Sequence, residues 1–486
     1  MSVPPGRKAK YGNIEPIRGE LGQKEALLRL WRYLMPLKGP LLVGLGFTLL
    51  WSCINLGYGW LAKQFLDAIQ AHAGRQDMRQ VNFITVLGIG VMVLRGLTYF
   101  AYNYAWSYAG QKLSMRLRNE VFAHLQRLPI SFFDQRKTGQ LMSSLSNDVP
   151  AVNTVLAAMQ DSVNAPVILF GGIGLLFWLN WQLALISCIC LPPTAAIIVR
   201  ASRRTRKYTA QVQSSLAYVS EHAEETISGI RIVKSFGNED YEAQRFSNRS
   251  NSVFRSVLRT IRVRLAMTPL VELLGAVAMI LVLWVGGRQI VFNANSLSVG
   301  DLTWFVLVLQ QVANGAKNFG NISVNLSAAA VAADRVFTLL NIRNDIQDKP
   351  QAIELAGRRE LLAARDGSPV MPTTDASVPQ VAGRVSFEEV GFAYSPGIPV
   401  LKGISFVMEP GEVVAIVGPT GSGKTTIAGL IPRFYDVTQG AIRVDGIDVR
   451  DCTLKSLRRQ IGIVPQETVL FAGTVRENIA YGRLDA

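Results

Sequence analysis

Residues 413–426 read Val413-Val414-Ala415-Ile416-Val417-Gly418-Pro419-Thr420-Gly421-Ser422-Gly423-Lys424-Thr425-Thr426. The first five are all apolar, the composition of a strand buried on both faces of a parallel sheet. The next eight satisfy the pattern GxxxxGKS/T, and a helical pattern continues over 426–430, so the motif has a strand before it and a helix after it. Glycines in such a loop let backbone N–H groups turn inward around phosphates, at the positive end of the following helix. In that geometry Lys424 reaches the β- and γ-phosphates of a nucleotide, and the Thr425 hydroxyl ligates a Mg²⁺ that bridges phosphate oxygens. A P-loop therefore marks the C-terminal part of the chain, with residues 418–426 as its nucleotide-binding residues.

Upstream of this loop the chain has a different character. Of 486 residues, 49% are hydrophobic and only 17% charged, which excludes bulk disorder. Six apolar runs approach the roughly 20 residues needed to cross hydrocarbon: 40–60, 83–105, 163–179, 181–199, 269–285 and 302–324. Little more than Asn180 separates the third from the fourth, which predicts a tight hairpin with Asn180 and Trp181 at an interface. Before the first run, residues 24–38 place Leu27, Leu28, Leu30, Trp31 and Leu34 on one helical face, the pattern of an interfacial helix. Four cysteines, Cys53, Cys188, Cys190 and Cys452, form neither a disulfide framework nor a zinc pattern.

The net charge of +15 comes from 50 basic and 35 acidic residues, and its placement decides its meaning. Residues 200–264 hold thirteen Lys/Arg against six Asp/Glu, whereas the expected outer loops carry only Lys63, Arg75, Arg79 and Arg288 as bases. That asymmetry follows the positive-inside rule, with the N-terminus and the P-loop part both cytoplasmic. The charge is accounted for by topology and headgroup contact, and no nucleic-acid partner is expected. The inner loops, 106–161 and 200–264, lack turn clusters and read as helical extensions into the cytosol.

Along the sixth run and just past its end, Gln310, Asn314, Lys317, Asn321 and Asn325 fall within an arc of about 80° on a helix, opposite Val308, Val312, Phe319 and Leu326. Polar side chains inside a membrane face a bundle interior or an aqueous path, so this stripe is the candidate substrate pathway; hydrogen bonding to neighbouring helices is the alternative. Arg95 and Glu272 are the other embedded charges, read as halves of structural pairs, with a substrate contact as the alternative. Tyr99, Tyr102, Tyr104, Trp106 and Tyr108 read as an interfacial belt, with an aromatic drug-binding cage as the alternative.

Six spans followed by a P-loop resemble an exporter-type half-transporter of the ATP-binding cassette (ABC) family. Val390-Gly391-Phe392-Ala393-Tyr394 is similar to the segment whose aromatic residue stacks on adenine, a role that the resemblance gives to Tyr394. Arg433-Phe434-Tyr435-Asp436, Val464-Pro465-Gln466 and the segment 470–479 continue the likeness. Gln466 stands at the family's Q-loop glutamine, which helps hold Mg²⁺. In the membrane half, Phe132-Phe133-Asp134 with Gly139, Leu141, Leu145 and Asp148 resemble a first coupling region, and Glu225, 229–236 and Glu239 a second.

The resemblance implies a multi-span α-helical membrane domain of six transmembrane helices with long cytoplasmic extensions, followed by a partial α/β P-loop nucleotide-binding domain. Its boundaries are 1–39 for the cytoplasmic N-terminus and elbow helix, 40–343 for the membrane domain, 344–382 for a linker and 383–486 for the nucleotide domain. It implies ATP and Mg²⁺ as cofactors, a second half-transporter as homodimer or heterodimer partner, and ATP-driven export of an amphipathic lipid, drug or peptide across a bacterial inner membrane. Within these residues no signature sequence, catalytic glutamate or switch histidine follows the Q-loop, so no catalytic residue is assigned. A truncated protein that binds nucleotide without turning it over is the alternative, and an ATP-gated channel or receptor would share the same P-loop.

Overall fold

A computed structural model describes residues 22–72, 78–134, 136, 138–292, 297–357, 380–395, 397–466 and 468–482. Residues 1–21, whose sequence is basic through Arg7, Lys8, Lys10 and Arg18, lie outside them. The described chain forms two compact units, one of Gln23–Met115 with Ala151–Val331, the other built on Arg116–Pro150 with Ala332–Ala486.

The first unit is helical throughout, because hydrocarbon offers no water to backbone N–H and C=O groups and a helix satisfies them within one segment. A short helix α1 (Gln23–Leu34) buries Ala26, Leu30 and Leu34 and leaves Leu28 and Trp31 exposed. The long helices are α2 (Lys38–His72) and α3 (Arg79–Arg127). At the tip of the first inner loop, in the second unit, come the short helices α4 (Ile130–Asp134), α5 (Thr138–Ser143) and α6 (Val149–Ala151). Then follow α7 (Thr154–Pro166), α8 (Gly172–Leu179), α9 (Trp181–Ser228), α10 (Ile230–Phe236), α11 (Glu239–Phe292) and α12 (Val299–Leu340).

Among the described residues, five stretches are long and apolar enough to cross a membrane: Lys24–His72, Arg79–Arg127, Leu141–Leu179, Glu239–Phe292 and Val299–Leu340. The fourth expected span falls in α9, where the side chains of Cys190 and Pro192 are among those outside the description. At 49 residues, α3 runs about 70 Å, more than twice the hydrocarbon thickness, as the helical-extension reading predicts.

Two junctions show local sequence setting local geometry. Asn180 is extended between α8 and α9, and its side-chain oxygen accepts from the Gln182 and Leu183 amides while its amide donates to Gln289 at 2.9 Å. The expected hairpin is thus a capped turn. Pro166 lacks an N–H to continue the helical ladder, and the chain loosens into a π-helical turn over Val167–Gly171 directly after it. The core of this unit gathers Leu183, Val282, Leu302, Trp304, Phe305, Val308 and Val312. The aromatic belt divides: Tyr102 and Trp106 are buried, and Trp106 Nε1 donates to Thr48 Oγ1 at 3.0 Å, whereas Tyr99, Tyr104 and Tyr108 stay exposed.

The second unit contains a four-stranded antiparallel sheet of order β4-β3-β5-β6, with β3 Val385–Phe392, β4 Leu401–Met408, β5 Gln439–Val444 and β6 Ile447–Asp448. A two-stranded parallel pair, β1 (Ala356–Gly357) and β2 (Gln380–Val381), precedes it. Phe387, Val390, Leu401, Leu430, Ile442 and Leu457 form its core, together with the free thiol of Cys452. Leu355, inside the expected linker, joins the same core, and Lys349 pairs with Asp451. The helices are α13 (Lys424–Leu430), α14 (Leu454–Arg459) and α15 (Val475–Ala480).

One expectation is corrected here. The apolar run 413–417 is not a buried strand: among the described residues no strand pairs with it, and Val413 and Val417 are 96% and 88% exposed. A parallel strand exists only through its neighbours' ladders, and the sheet present is antiparallel and closes at β4 without it.

A register shift in β3 between Glu388 and Gly391 presses the backbone onto Gly440, where a Cβ would lie 2.2 Å from the Glu388 carbonyl oxygen at φ +74°. Gly440→Ala is expected to destabilise the nucleotide unit by about 3 kcal/mol. Gly446→Ala, at φ +83° with open space around it, should cost only about 1 kcal/mol. Denaturant unfolding of the two variants checks the difference.

Candidate nucleotide site and membrane stripe

Around the P-loop the chain turns on glycines with positive φ: Gly418 at 157°, Gly421 at 90° and Gly423 at 91°. Gly423 avoids the strain that a side chain would meet there, since its φ of +91° is one that L residues rarely adopt and a Cβ would also displace Leu401 Cδ2, 2.7 Å away. Gly423 is the N-cap of α13, so the loop delivers Lys424 and Thr425 directly into the first helical turn. Lys424 Nζ donates to the carbonyl oxygens of Gly418 and Pro419 at 2.8 and 2.9 Å. The loop is therefore wrapped around its own ammonium group, and an incoming phosphate would exchange those two carbonyls for charged oxygens, a stronger acceptor set.

Pro419, Thr420, Gly421, Ser422 and Thr425 are exposed, with their surfaces open to a ligand. Thr425 and Gln466 are both exposed, and no hydrogen bond joins them among the described residues. Two neutral oxygens are a partial set for Mg²⁺, which takes six oxygens and draws the others from water and phosphate. The donor set fits a metal that arrives with its nucleotide.

Thr426 departs from the expected role. It is 5% exposed, and its Oγ1 lies 3.0 Å from the Tyr394 hydroxyl. Tyr394 is thereby tied to the helix that follows the P-loop, with its ring half-exposed. Phe392 and Tyr435 meet that ring edge-on, at centroid distances of 4.8 and 5.2 Å. An aromatic face presented beside a phosphate loop can stack a base. Sequence reasoning placed Tyr394 at the site, but not Thr426 as its tether. A hydroxyl-bearing residue at the third helical position is too common to signal a contact 32 residues away.

On α12, Gln310, Asn314, Lys317 and Asn321 are exposed, while Val308 and Val312 on the opposite side are buried. Asn325 is half-buried and donates to Asp161 at 3.3 Å. Phe319 and Leu326, expected on the apolar side, are 46% and 39% exposed. Behind the stripe lies a network that periodicity does not reveal. Arg95 donates to Asn55 Oδ1 at 3.0 Å, Asn55 donates to Gln311 Oε1 at 2.8 Å, and the Arg95 guanidinium sits 4.9 Å from the centre of the Tyr58 ring. Arg95 thus acts within the bundle, as its structural reading requires. Glu272 is exposed.

Comparison with known proteins matches residues 41–315 to the ABC transporter transmembrane region and residues 401–486 to the ABC transporter domain. An "ATP-dependent lipid A-core flippase" of Desulfotalea psychrophila is 32% identical over 464 residues, covering 95% of this chain and 76% of that protein. A protein of the same description from Syntrophus aciditrophicus is 31% identical, covering 96% and 73%. One from Legionella pneumophila is 30% identical, covering 98% and 75%.

Lys424→Ala is expected to abolish binding of a fluorescent ATP analogue. It should change unfolding stability by less than about 0.5 kcal/mol, because the side chain lies on the surface away from the core. Titration by fluorescence anisotropy, beside a thermal melt of the same sample, checks both halves.

Proposed function

The chain belongs to the ABC transporters, as an exporter half-transporter and by family a transporter ATPase, and on that premise we propose that it moves an amphipathic lipid across a membrane. It is an integral membrane protein that joins a helical transmembrane region to a nucleotide-binding domain. The observation that carries the export reading is the polar stripe of α12, four of whose five residues are exposed on a helix otherwise apolar enough to span. The relatives' description as lipid A-core flippases supports a lipid with a large polar headgroup as the substrate class. Lys317, the one cation in the stripe, suits an anionic group on that headgroup.

In the proposed cycle the loop at 418–425 would receive ATP, with Lys424 placed to take the terminal phosphates, Thr425 and Gln466 to hold Mg²⁺, and Tyr394 to stack on the base. Bound ATP favours closure of two nucleotide domains, so a second half-transporter is the partner, and the closed state favours an outward-facing membrane region. Orientation follows from the basic inner loops: the N-terminus and nucleotide domain are cytoplasmic, in a bacterial inner membrane.

Reconstitution in lipid vesicles tests this reading. ATP with Mg²⁺ is expected to drive a headgroup-labelled glycolipid from the leaflet facing the nucleotide domain to the other. Lys424→Ala should abolish that movement. Leucine at Asn314, Lys317 and Asn321 together should lower it about tenfold or more while leaving ATP-analogue binding intact, a cost near that of losing one or two polar contacts to the substrate. Unchanged lipid movement in the triple-leucine variant would overturn the pathway assignment, and movement by Lys424→Ala would overturn ATP as the power source.

A further inference from the structure

We propose that Tyr435 is a positioning residue that joins Asp134 of the first inner loop to the adenine-facing Tyr394, so that seating of the base and engagement of that loop favour each other. The inference rests on the nucleotide reading of Tyr394 and adds to it a residue that acts through another. The Tyr435 hydroxyl donates to the Asp134 carboxylate, at the end of α4 and 301 residues away in sequence. Its ring stands edge-on to Tyr394, with centroids 5.2 Å apart and planes at 90°, and lies 5.5 Å from Phe392. Tyr394 in turn is tethered to the buried Thr426. One aromatic side chain thus touches both the loop and the ring that would stack on the base.

The position of Tyr435 is itself held. Arg433, 4% exposed and at φ +52°, makes a bidentate pair with Asp436 at 2.7 and 3.2 Å and also reaches the Gln347 carbonyl. Arg458 donates to the carbonyls of Pro432 and Arg433, both at 3.0 Å. Residues 432–436 are therefore fastened from both sides, and Tyr435 has little freedom to swing away. Burial, followed by the nearby Asp134 carboxylate, raises the Tyr435 pKa well above the ordinary tyrosine range, which keeps the hydroxyl a donor at every physiological pH.

If Tyr435 merely filled space, phenylalanine would serve as well. The hydroxyl is what reaches the loop, and the ring is what bounds Tyr394. An edge-to-face neighbour limits the tilt of an aromatic plane, and a base stacks well only on a plane already presented to it. By reciprocity, a base that holds Tyr394 in place also holds Tyr435 toward Asp134.

The test uses the full chain in lipid nanodiscs, with ATP and inorganic tripolyphosphate as the two probes, the second lacking a base. Tyr435→Ala is expected to weaken ATP binding about tenfold, at the upper end of what one aromatic pair contributes, and to leave tripolyphosphate binding unchanged. In the wild type, ATP is expected to slow amide exchange over residues 130–134, and in Tyr435→Phe, which keeps the ring, that response should vanish. Equal losses for ATP and tripolyphosphate in Tyr435→Ala would make the residue merely structural and overturn the inference. So would a Tyr435→Phe response equal to the wild type's, a measurement that stands even if the alanine variant fails to fold. Wild-type chain that binds neither probe would overturn the ATP reading itself. Wild-type chain that binds ATP without any response at 130–134 would overturn this inference alone.

Discussion

A backbone in hydrocarbon must satisfy its own hydrogen bonds, and most of this molecule's architecture follows from that demand. It turns each apolar run into a helix, and a long helix cannot bend sharply without a stated cause. The chain reverses where Asn180 leaves the helical conformation and caps α9, and the helix over 154–179 runs on through Pro166 by way of a π-helical turn. Elsewhere a helix continues past the hydrocarbon into water, as α3 does, because its sequence changes from apolar to basic without a Pro or another helix stop.

Apolar faces alone do not register such helices against each other, since lipid is as apolar as leucine. Polar contacts supply the register. Ser52 donates to Asn164 at 2.8 Å, Trp106 to Thr48 at 3.0 Å, and Asn55 links Arg95 to Gln311. Gly172 lets α8 lie against α12, where a Cβ would come within 2.5 Å of Val312. The Asn55–Gln311 bond and the close approach at Gly172 hold one side of α12 against the bundle, while Gln310, Asn314, Lys317 and Asn321 remain uncovered. The substrate stripe is in this sense a product of the interactions behind it.

The nucleotide unit relies on a different economy, with polar clamps rather than apolar bulk around its key loop. The Arg433–Asp436 pair, buried on the arginine side, is the kind of interaction whose loss leaves an uncompensated charge. Its bidentate geometry orients residues 432–436, and through Tyr435 it reaches both the site and the inner loop. Cys452 lies at the centre of the same unit, its thiol pushed up to about 11 by burial first and by Asp451 and Asp448 after it, and it serves as packing rather than chemistry.

The P-loop, the spans, the Asn180 hairpin and the polar stripe were legible in the sequence because each is a local matter. Loop geometry is written in adjacent glycines, and amphipathicity in a period of a few residues. Pairing partners are not local. The run at 413–417 has a strand's composition but no ladder beside it, so composition alone misjudged its burial. The belt read at residues 99–108 likewise divided once Thr48 gave Trp106 a buried partner. What the sequence by itself determined was the kind of protein this is, through residue chemistry at fixed spacing. Only the tertiary structure decided which side chains meet across long separations, Tyr394 with Thr426, Tyr435 with Asp134 and Arg95 with Asn55. Such contacts depend on how whole elements pack, and no short window of residues records that packing.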